Sequence, residues 1–271
     1  MLHFQLVQDG PPRGIVLVLH GLLGSGSNWR SLARRLCAGR PDLGVALVDL
    51  REHGASLAQP PPHTLASAAA DLLELAPHLP APVVGVIGHS FGGKVALRSL
   101  PRCPPSLRVA FIIDSTPSAR PQARGSEGVL LVLRALRAPG VIAPHPSRES
   151  FVAALGAQGV SAPTAQWLAM NLRGAPGDYR FALDLDAIDA LLSDYLRTDL
   201  WDLLESPPVP VHLIVGGRSA VVDAADRERA LALTARGAPV HLHVLPAAGH
   251  DVHVDDPQGL LLLLRAGLPP L

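Results

Sequence analysis

Short apolar runs rich in Val, Ile and Leu recur along the chain, and between them apolar residues fall at helical spacing. The runs are "IVLVLH" (15–20), "GVALVDL" (44–50), "PVVGVIGH" (82–89), "RVAFIID" (108–114), "VHLIVGG" (211–217) and "VHLHVLP" (240–246). Unbroken runs of that length mark strands buried on both faces, as in a mainly parallel sheet covered by helices. "HFQLV" (3–7) is expected as an antiparallel edge strand. Helices are expected over 28–38, 64–79, 91–100, 224–235 and 257–266, with Ser27 and Thr64 as N-caps.

One gap breaks the alternation. From Asp114 to Val209 there are 95 residues without a strand pattern, far more than a helical crossover needs. Helical patterns fill it, among them "EGVLLVLRALR", "SRESFVAALGA", "TAQWLAMNLR" and "LDLDAIDALLSDYL". The expectation is a helical cap, residues 117–205, inserted into a core made of 1–116 and 206–271. Such a cap lies over the C-terminal ends of the strands, where open α/β sheets bind ligands.

Composition narrows the function. Lys+Arg and Asp+Glu both number 23, so bulk charge gives no support to a nucleic-acid or anionic-membrane partner. Cys37 and Cys103 are too few for a disulfide framework and read as reduced thiols. The N-terminus lacks the features of a signal peptide, and no apolar run approaches a membrane span. A soluble, cytoplasmic protein without stable membrane insertion is the expectation.

"VIGHSFGGKVAL" places Gly88-His89-Ser90-Phe91-Gly92, a G-x-S-x-G pattern, between a strand and a helix. A serine hydroxyl attacks well only when held clear of the strand end beside a base. The helix starting at Phe91 aims its positive end at a developing oxyanion. A second donor is expected from "LVLHGLLGSGSNW" (17–29), where the Leu22 N–H would pair with that of Phe91. His20 is expected to brace this loop.

Of 12 histidines, His250 in "LPAAGHDVHVDDP" follows the last strand and suits a base reaching Ser90, with His253 its nearest rival. His241 and His243 alternate on a strand. The histidine clusters lack further ligands for a metal site. The acid is harder to place. After "VHLIVGG", where a carboxylate is expected, the chain carries Arg218 and Ser219.

"HGLLGSGSNW", "VDLREHGAS", "GHSFGG" and "AAGHDVHVDDP" together resemble the α/β-hydrolase superfamily, and within it the small YbfF-type and ABHD11-type esterases. Glu52 departs from the commoner D-x-R-N-H-G-x-S pattern. The resemblance implies an eight-stranded, mainly parallel sheet with helices on both faces and a cap. In the YbfF-type esterases the acid follows the strand after the nucleophile strand, and a serine stands at the usual acid position. Asp114, at the end of "RVAFIID", matches that position and lies one strand over, about 5 Å laterally. Asp223 is the alternative acid. Ser219 becomes an accessory hydrogen-bonding to Asp114 or His250.

Ser90, His250 and Asp114 with two amide donors would form an acyl-transfer site. The expected function is a serine carboxylesterase acting on short- to medium-chain acyl esters or thioesters, with no cofactor and no metal. Phe151, Trp167, Leu168, Met170 and Tyr195 are candidate cap residues for its pocket. Two alternatives stand. One is an elimination or C–C bond hydrolase of the menaquinone-synthase type, for which Arg124, Arg180 and Arg218 could meet anionic substrates. The other is a non-catalytic small-molecule receptor.

Overall fold

A computed structural model describes residues 1–122 and 125–271. Among the described residues nine strands form, β1 (Phe4–Gln8), β2 (Gly14–Leu19), β3 (Leu43–Val48), β4 (Val83–His89), β5 (Val109–Ile113), β6 (Leu172–Ala175), β7 (Asp178–Phe181), β8 (Val211–Gly216) and β9 (Val240–Leu245). The helices are α1 (Arg30–Cys37), α2 (Leu65–Leu75), α3 (Phe91–Ser99), α4 (Glu127–Leu136), α5 (Arg148–Ala157), α6 (Ala162–Leu168), α7 (Leu185–Arg197), α8 (Asp202–Glu205), α9 (Ala224–Ala235), α10 (Val252–Asp255) and α11 (Pro257–Gly267).

The main sheet has seven strands in the order β1-β3-β2-β4-β5-β8-β9. Only β1 runs antiparallel, pairing with β3 from Phe4 opposite Val48 to Gln8 opposite Gly44. Eight strands were expected; seven are present. Residues 9–13, "DGPPR", turn the chain straight from β1 into β2. Pro11 and Pro12 have no N–H to give a ladder, so no further strand forms there.

Burial explains the unbroken apolar runs. Along β2, Ile15, Leu17 and Leu19 enter one core with Ala68, Leu72 and Val95 of α2 and α3. Val16 and Val18 enter the other with Leu32, Leu36 and Leu264 of α1 and α11. Period-two side chains on a two-sided sheet must therefore be apolar at every position.

Thr64 caps α2, its hydroxyl accepting from the Ser67 N–H at 3.1 Å. Ser27 does not cap α1. Gly26–Trp29 form a 3₁₀ turn that delays the helix to Arg30, and Ser25 leads that turn, its N–H donating to Asn28 Oδ1 at 2.8 Å. Both cysteines are free.

After β5 the chain leaves the sheet and returns at β8. Helices α4 to α8 occupy this excursion, as its apolar spacing predicts. It also contains strands that the pattern did not reveal, the antiparallel hairpin of β6 and β7. Pro176-Gly177 makes the two-residue turn, Gly177 adopting φ 98°. Five of the hairpin's eight strand residues are exposed, and its polar, glycine-containing strands carry little apolar alternation. No helix among the described residues is long and apolar enough to cross a membrane.

Candidate active site

β4 ends at His89 and α3 begins at Phe91, leaving Ser90 alone on the sharp turn between them. Its backbone sits at φ 51°, ψ −116°, a region non-glycine residues rarely occupy. The turn survives because its flanks are glycine. A Cβ on Gly88 would lie 2.2 Å from the Gly92 carbonyl oxygen, and one on Gly92 would lie 2.5 Å from that of Leu19. The Ser90 N–H donates to Ile113 C=O at 3.0 Å, tying the turn to the end of β5.

Asp114 is the next residue along β5, fully buried and itself at φ 41°. Its carboxylate receives three donors. Oδ1 accepts from the Gly216 N–H at 3.0 Å, and Oδ2 accepts from Ser219 Oγ at 2.5 Å and from His250 Nδ1 at 2.7 Å. The Ser219 hydroxyl also accepts from the Val221 N–H at 3.2 Å. The structure thus brings Ser219, Asp114 and His250 together. Asp223 lies elsewhere, capping α9 through the Asp226 N–H and pairing with Arg120 at 2.9 Å.

Burial pulls the His250 pKa down, but the hydrogen bond and charge of Asp114, with a contribution from Asp251, outweigh it and leave the pKa raised. The loop carrying His250 is fixed from below by His89, whose Nε2 lies 2.9 Å from the His250 carbonyl oxygen. Burial, then the neighbouring charges of His250 and His253, hold the His89 pKa well below the usual range. A neutral His89 with its proton on Nε2 fits that contact. The residue before the serine in a G-x-S-x-G pattern gives no hint of this role in sequence.

Two more histidines shape the loop after β2. His20 Nδ1 lies 2.7 Å from the Gly21 carbonyl oxygen, and its Nε2 accepts from the Leu50 N–H at 3.0 Å. Both ring nitrogens thus serve the backbone, the bracing role expected of it. His53 was not singled out from the sequence. Its Nε2 accepts from the Leu23 N–H at 3.0 Å, and its Nδ1 faces Arg51 C=O at 2.8 Å. Burial, then the charge of His20, lowers its pKa to about 3, so it stays neutral. Asp49 adds a third brace, accepting from Gly26 and Ala55 N–H groups, both at 2.9 Å. The "VDLREHGAS" motif is therefore scaffolding for the glycine loop. Within it, Glu52 accepts from the Gln59 N–H at 2.6 Å and stands at φ 63°. Among the described residues, neither the Leu22 nor the Phe91 N–H meets a protein acceptor.

These residues open on one cavity of about 830 Å³, lined by Ser90, His250 and Ser219 and by apolar side chains including Leu22, Val132 and Trp167. Of the expected cap residues, Trp167 and Tyr195 line it. Phe151 and Leu168 are buried elsewhere and Met170 is largely exposed. Arg218 is the only arginine on the wall among the described residues. Arg180 is instead on the hairpin, paired with Asp178 at 2.9 Å, and Arg124 lies outside the described residues. His89, Asp251 and His253 bring potential metal-ligand atoms within 4.8 Å of one another. Of those rings, His89 meets the His250 carbonyl oxygen through Nε2 and His253 stacks on Trp29 at 4.2 Å.

A serine on a strained strand-to-helix turn, at the C-terminal edge of a mainly parallel sheet and lining one cavity with a histidine that pairs with a carboxylate, defines a hydrolase architecture. The model of the alpha/beta hydrolase family matches residues 15–261, and the chain belongs to that family. It is 28% identical to the sn-1-specific diacylglycerol lipase ABHD11 of Danio rerio over 97% of this chain and 81% of that protein. It is 25% identical to esterase YbfF of Escherichia coli over 96% of this chain and 95% of that one. A solved marine microorganism esterase shares the fold, with a TM-score of 0.81 at 23% identity over 99% of this chain and 100% of its own. The chain is accordingly a hydrolase.

Proposed function

We propose that the protein is a serine carboxylesterase acting on short- to medium-chain acyl esters, with thioesters as a second class of acyl donor. The hydrogen bond between Asp114 and His250 at 2.7 Å, in the cavity that Ser90 also lines, carries this reading. Relatives named as an esterase and a diacylglycerol lipase support ester chemistry.

In this reading Ser90 Oγ attacks the carbonyl carbon while His250 takes its proton. Asp114 orients the imidazole and offsets the charge it gains. The N–H groups of Leu22 and Phe91 receive the oxyanion. The intermediate collapses, the alcohol or thiol leaves with the proton from His250, and Ser90 is left acylated. Water, deprotonated by His250, then attacks the acyl carbon, and the acid is released as Ser90 Oγ takes that proton back from His250. Ser219 holds Asp114 in place.

Residues 117–205 act as the cap over a core of 1–116 and 206–271, and the cap's apolar side chains receive the acyl group. A cavity of about 830 Å³ suits a small-molecule substrate. The reaction requires no cofactor and no nucleic acid, and its setting is the cytoplasm.

Hydrolysis of p-nitrophenyl esters from acetate to laurate, with wild type and Ser90→Ala in parallel, tests the proposal. It predicts turnover that peaks at one chain length and disappears in the variant. Serine-independent turnover, or none at any length, would count against it and favour the elimination or receptor alternatives.

A further inference from the structure

The two crossings between the sheet and the excursion lie side by side and bond to one another. The Leu200 N–H donates to Pro117 C=O at 2.9 Å, and the Arg120 N–H donates to Leu196 C=O at 2.6 Å. The Trp201 indole N–H donates to Ser118 Oγ at 2.7 Å. Residues 117–120 and 196–201 thus form a neck.

Lys94, the only lysine in the chain, reaches into that neck from α3, one turn beyond Ser90. Its side chain is fully buried at 0% exposure. Nζ donates to the carbonyls of Ser118 at 2.9 Å, Tyr195 at 2.7 Å and Thr198 at 2.7 Å. An ammonium has three donors, and here each finds a backbone acceptor. One acceptor is on the outgoing crossing, one on α7 and one on the returning crossing.

The charge is costly where it sits. Among the described residues no carboxylate comes within ion-pair distance of Nζ. Burial lowers the pKa to about 8, with Asp199, Asp226 and Asp194 opposing that shift and Arg120 reinforcing it. An apolar side chain of the same length would avoid burying the charge but would take the donor away from all three carbonyls. Bulk packing therefore does not account for a lysine here. Its surroundings point to the cavity instead. The Tyr195 ring lies 4.5 Å from Nζ and 6.2 Å from the Phe91 ring, and Tyr195 lines the cavity.

We infer that Lys94 is a positioning residue whose ammonium fastens both crossings of the excursion to the nucleophile helix, and so sets how closely α7 and Tyr195 cover Ser90. The fastening stands on its own; only its consequence for substrates rests on the esterase reading.

Lys94→Met tests it by hydrogen exchange and by kinetics. Exchange should quicken by about tenfold or more in peptides covering 117–120 and 195–201, while β4 and α3 keep wild-type rates. KM for the preferred medium-chain ester should rise about tenfold, with kcat within about threefold and acetate turnover unchanged. Unchanged exchange at the neck would overturn the inference. So would an equal loss of kcat at every chain length, which marks a residue that merely supports Ser90. A fold that fails in Lys94→Met is met by wild-type protein labelled with ¹⁵Nζ-lysine, which gives a single signal. That signal should shift when a long-chain phosphonate blocks Ser90 and stay put with a methyl phosphonate. Identical spectra would overturn the inference. Failure of wild type to hydrolyse any ester would remove the esterase reading and leave the exchange result standing.

Discussion

Ser219 Oγ donates to Asp114 Oδ2 at 2.5 Å, across 105 residues of chain, on the same oxygen that receives His250 Nδ1 at 2.7 Å. The serine stands where most of the family would place its carboxylate. It meets that carboxylate arriving from the neighbouring strand. A position that looks vacant in sequence holds a hydroxyl bonded to the buried carboxylate proposed as the acid.

Replacing Asp114 by Asn should lower kcat by about 10³- to 10⁴-fold, because the amide cannot offset the imidazolium and favours the wrong tautomer. Asp223→Asn should leave kcat within about threefold, since that side chain is committed to α9 and Arg120. Steady-state rates on one ester decide between the two positions. A larger loss in the Asp223 variant would reverse the assignment.

Ser219→Ala removes one of three donors to a buried carboxylate, a contact of about 1.5–3 kcal/mol. The other two donors, Gly216 N–H and His250, remain. Activity should fall by about tenfold to a hundredfold with KM little changed. Ser219→Asp should do worse than alanine, because it sets a second carboxylate against Asp114.

The pH dependence follows from the raised pKa of His250, where Asp114 outweighs burial. His250 must be neutral to accept the Ser90 proton, so the acidic limb of kcat/KM should have its midpoint above 6.5. Asp114→Asn should move that midpoint down. For stability the sign is opposite. A pKa raised on folding contributes fully below the unfolded value and is lost as pH rises through the folded one. The melting-temperature gap between wild type and Asp114→Asn should therefore narrow as pH rises through His250's folded pKa.

His53→Ala leaves the buried Leu23 N–H without its acceptor and should cost about 1–3 kcal/mol. Because that amide adjoins Leu22, kcat should fall too, even though His53 is not among the proposed catalytic residues. Thermal denaturation and steady-state kinetics together check this.

The sheet was readable because its inner strands are buried on both faces, which forces continuous apolar runs such as "IVLVLH". Helices with strong boundaries were readable to within a few residues, Ala224–Ala235 among them. The β6–β7 hairpin was not, because it is too exposed to need alternation and is set by a Pro-Gly turn. The 3₁₀ turn at Gly26–Trp29 was missed because Ser27 looks like a cap whichever serine leads the turn. The proposed nucleophile and base, Ser90 and His250, follow from local patterns beside strands. His53 and His89 do not, since they act through backbone groups that only the folded chain brings near. Lys94 is the extreme case, for its three acceptors come from segments 24 to 104 residues away.

The central claim is that Ser90 is the acyl-accepting nucleophile. Intact-mass spectrometry after treatment with a fluorophosphonate tests it most directly, with peptide mapping and Ser90→Ala as control. The account predicts one adduct per chain, on Ser90, formed in step with loss of esterase activity and absent from the variant. An unmodified wild-type chain, or an adduct that persists in Ser90→Ala, would contradict it.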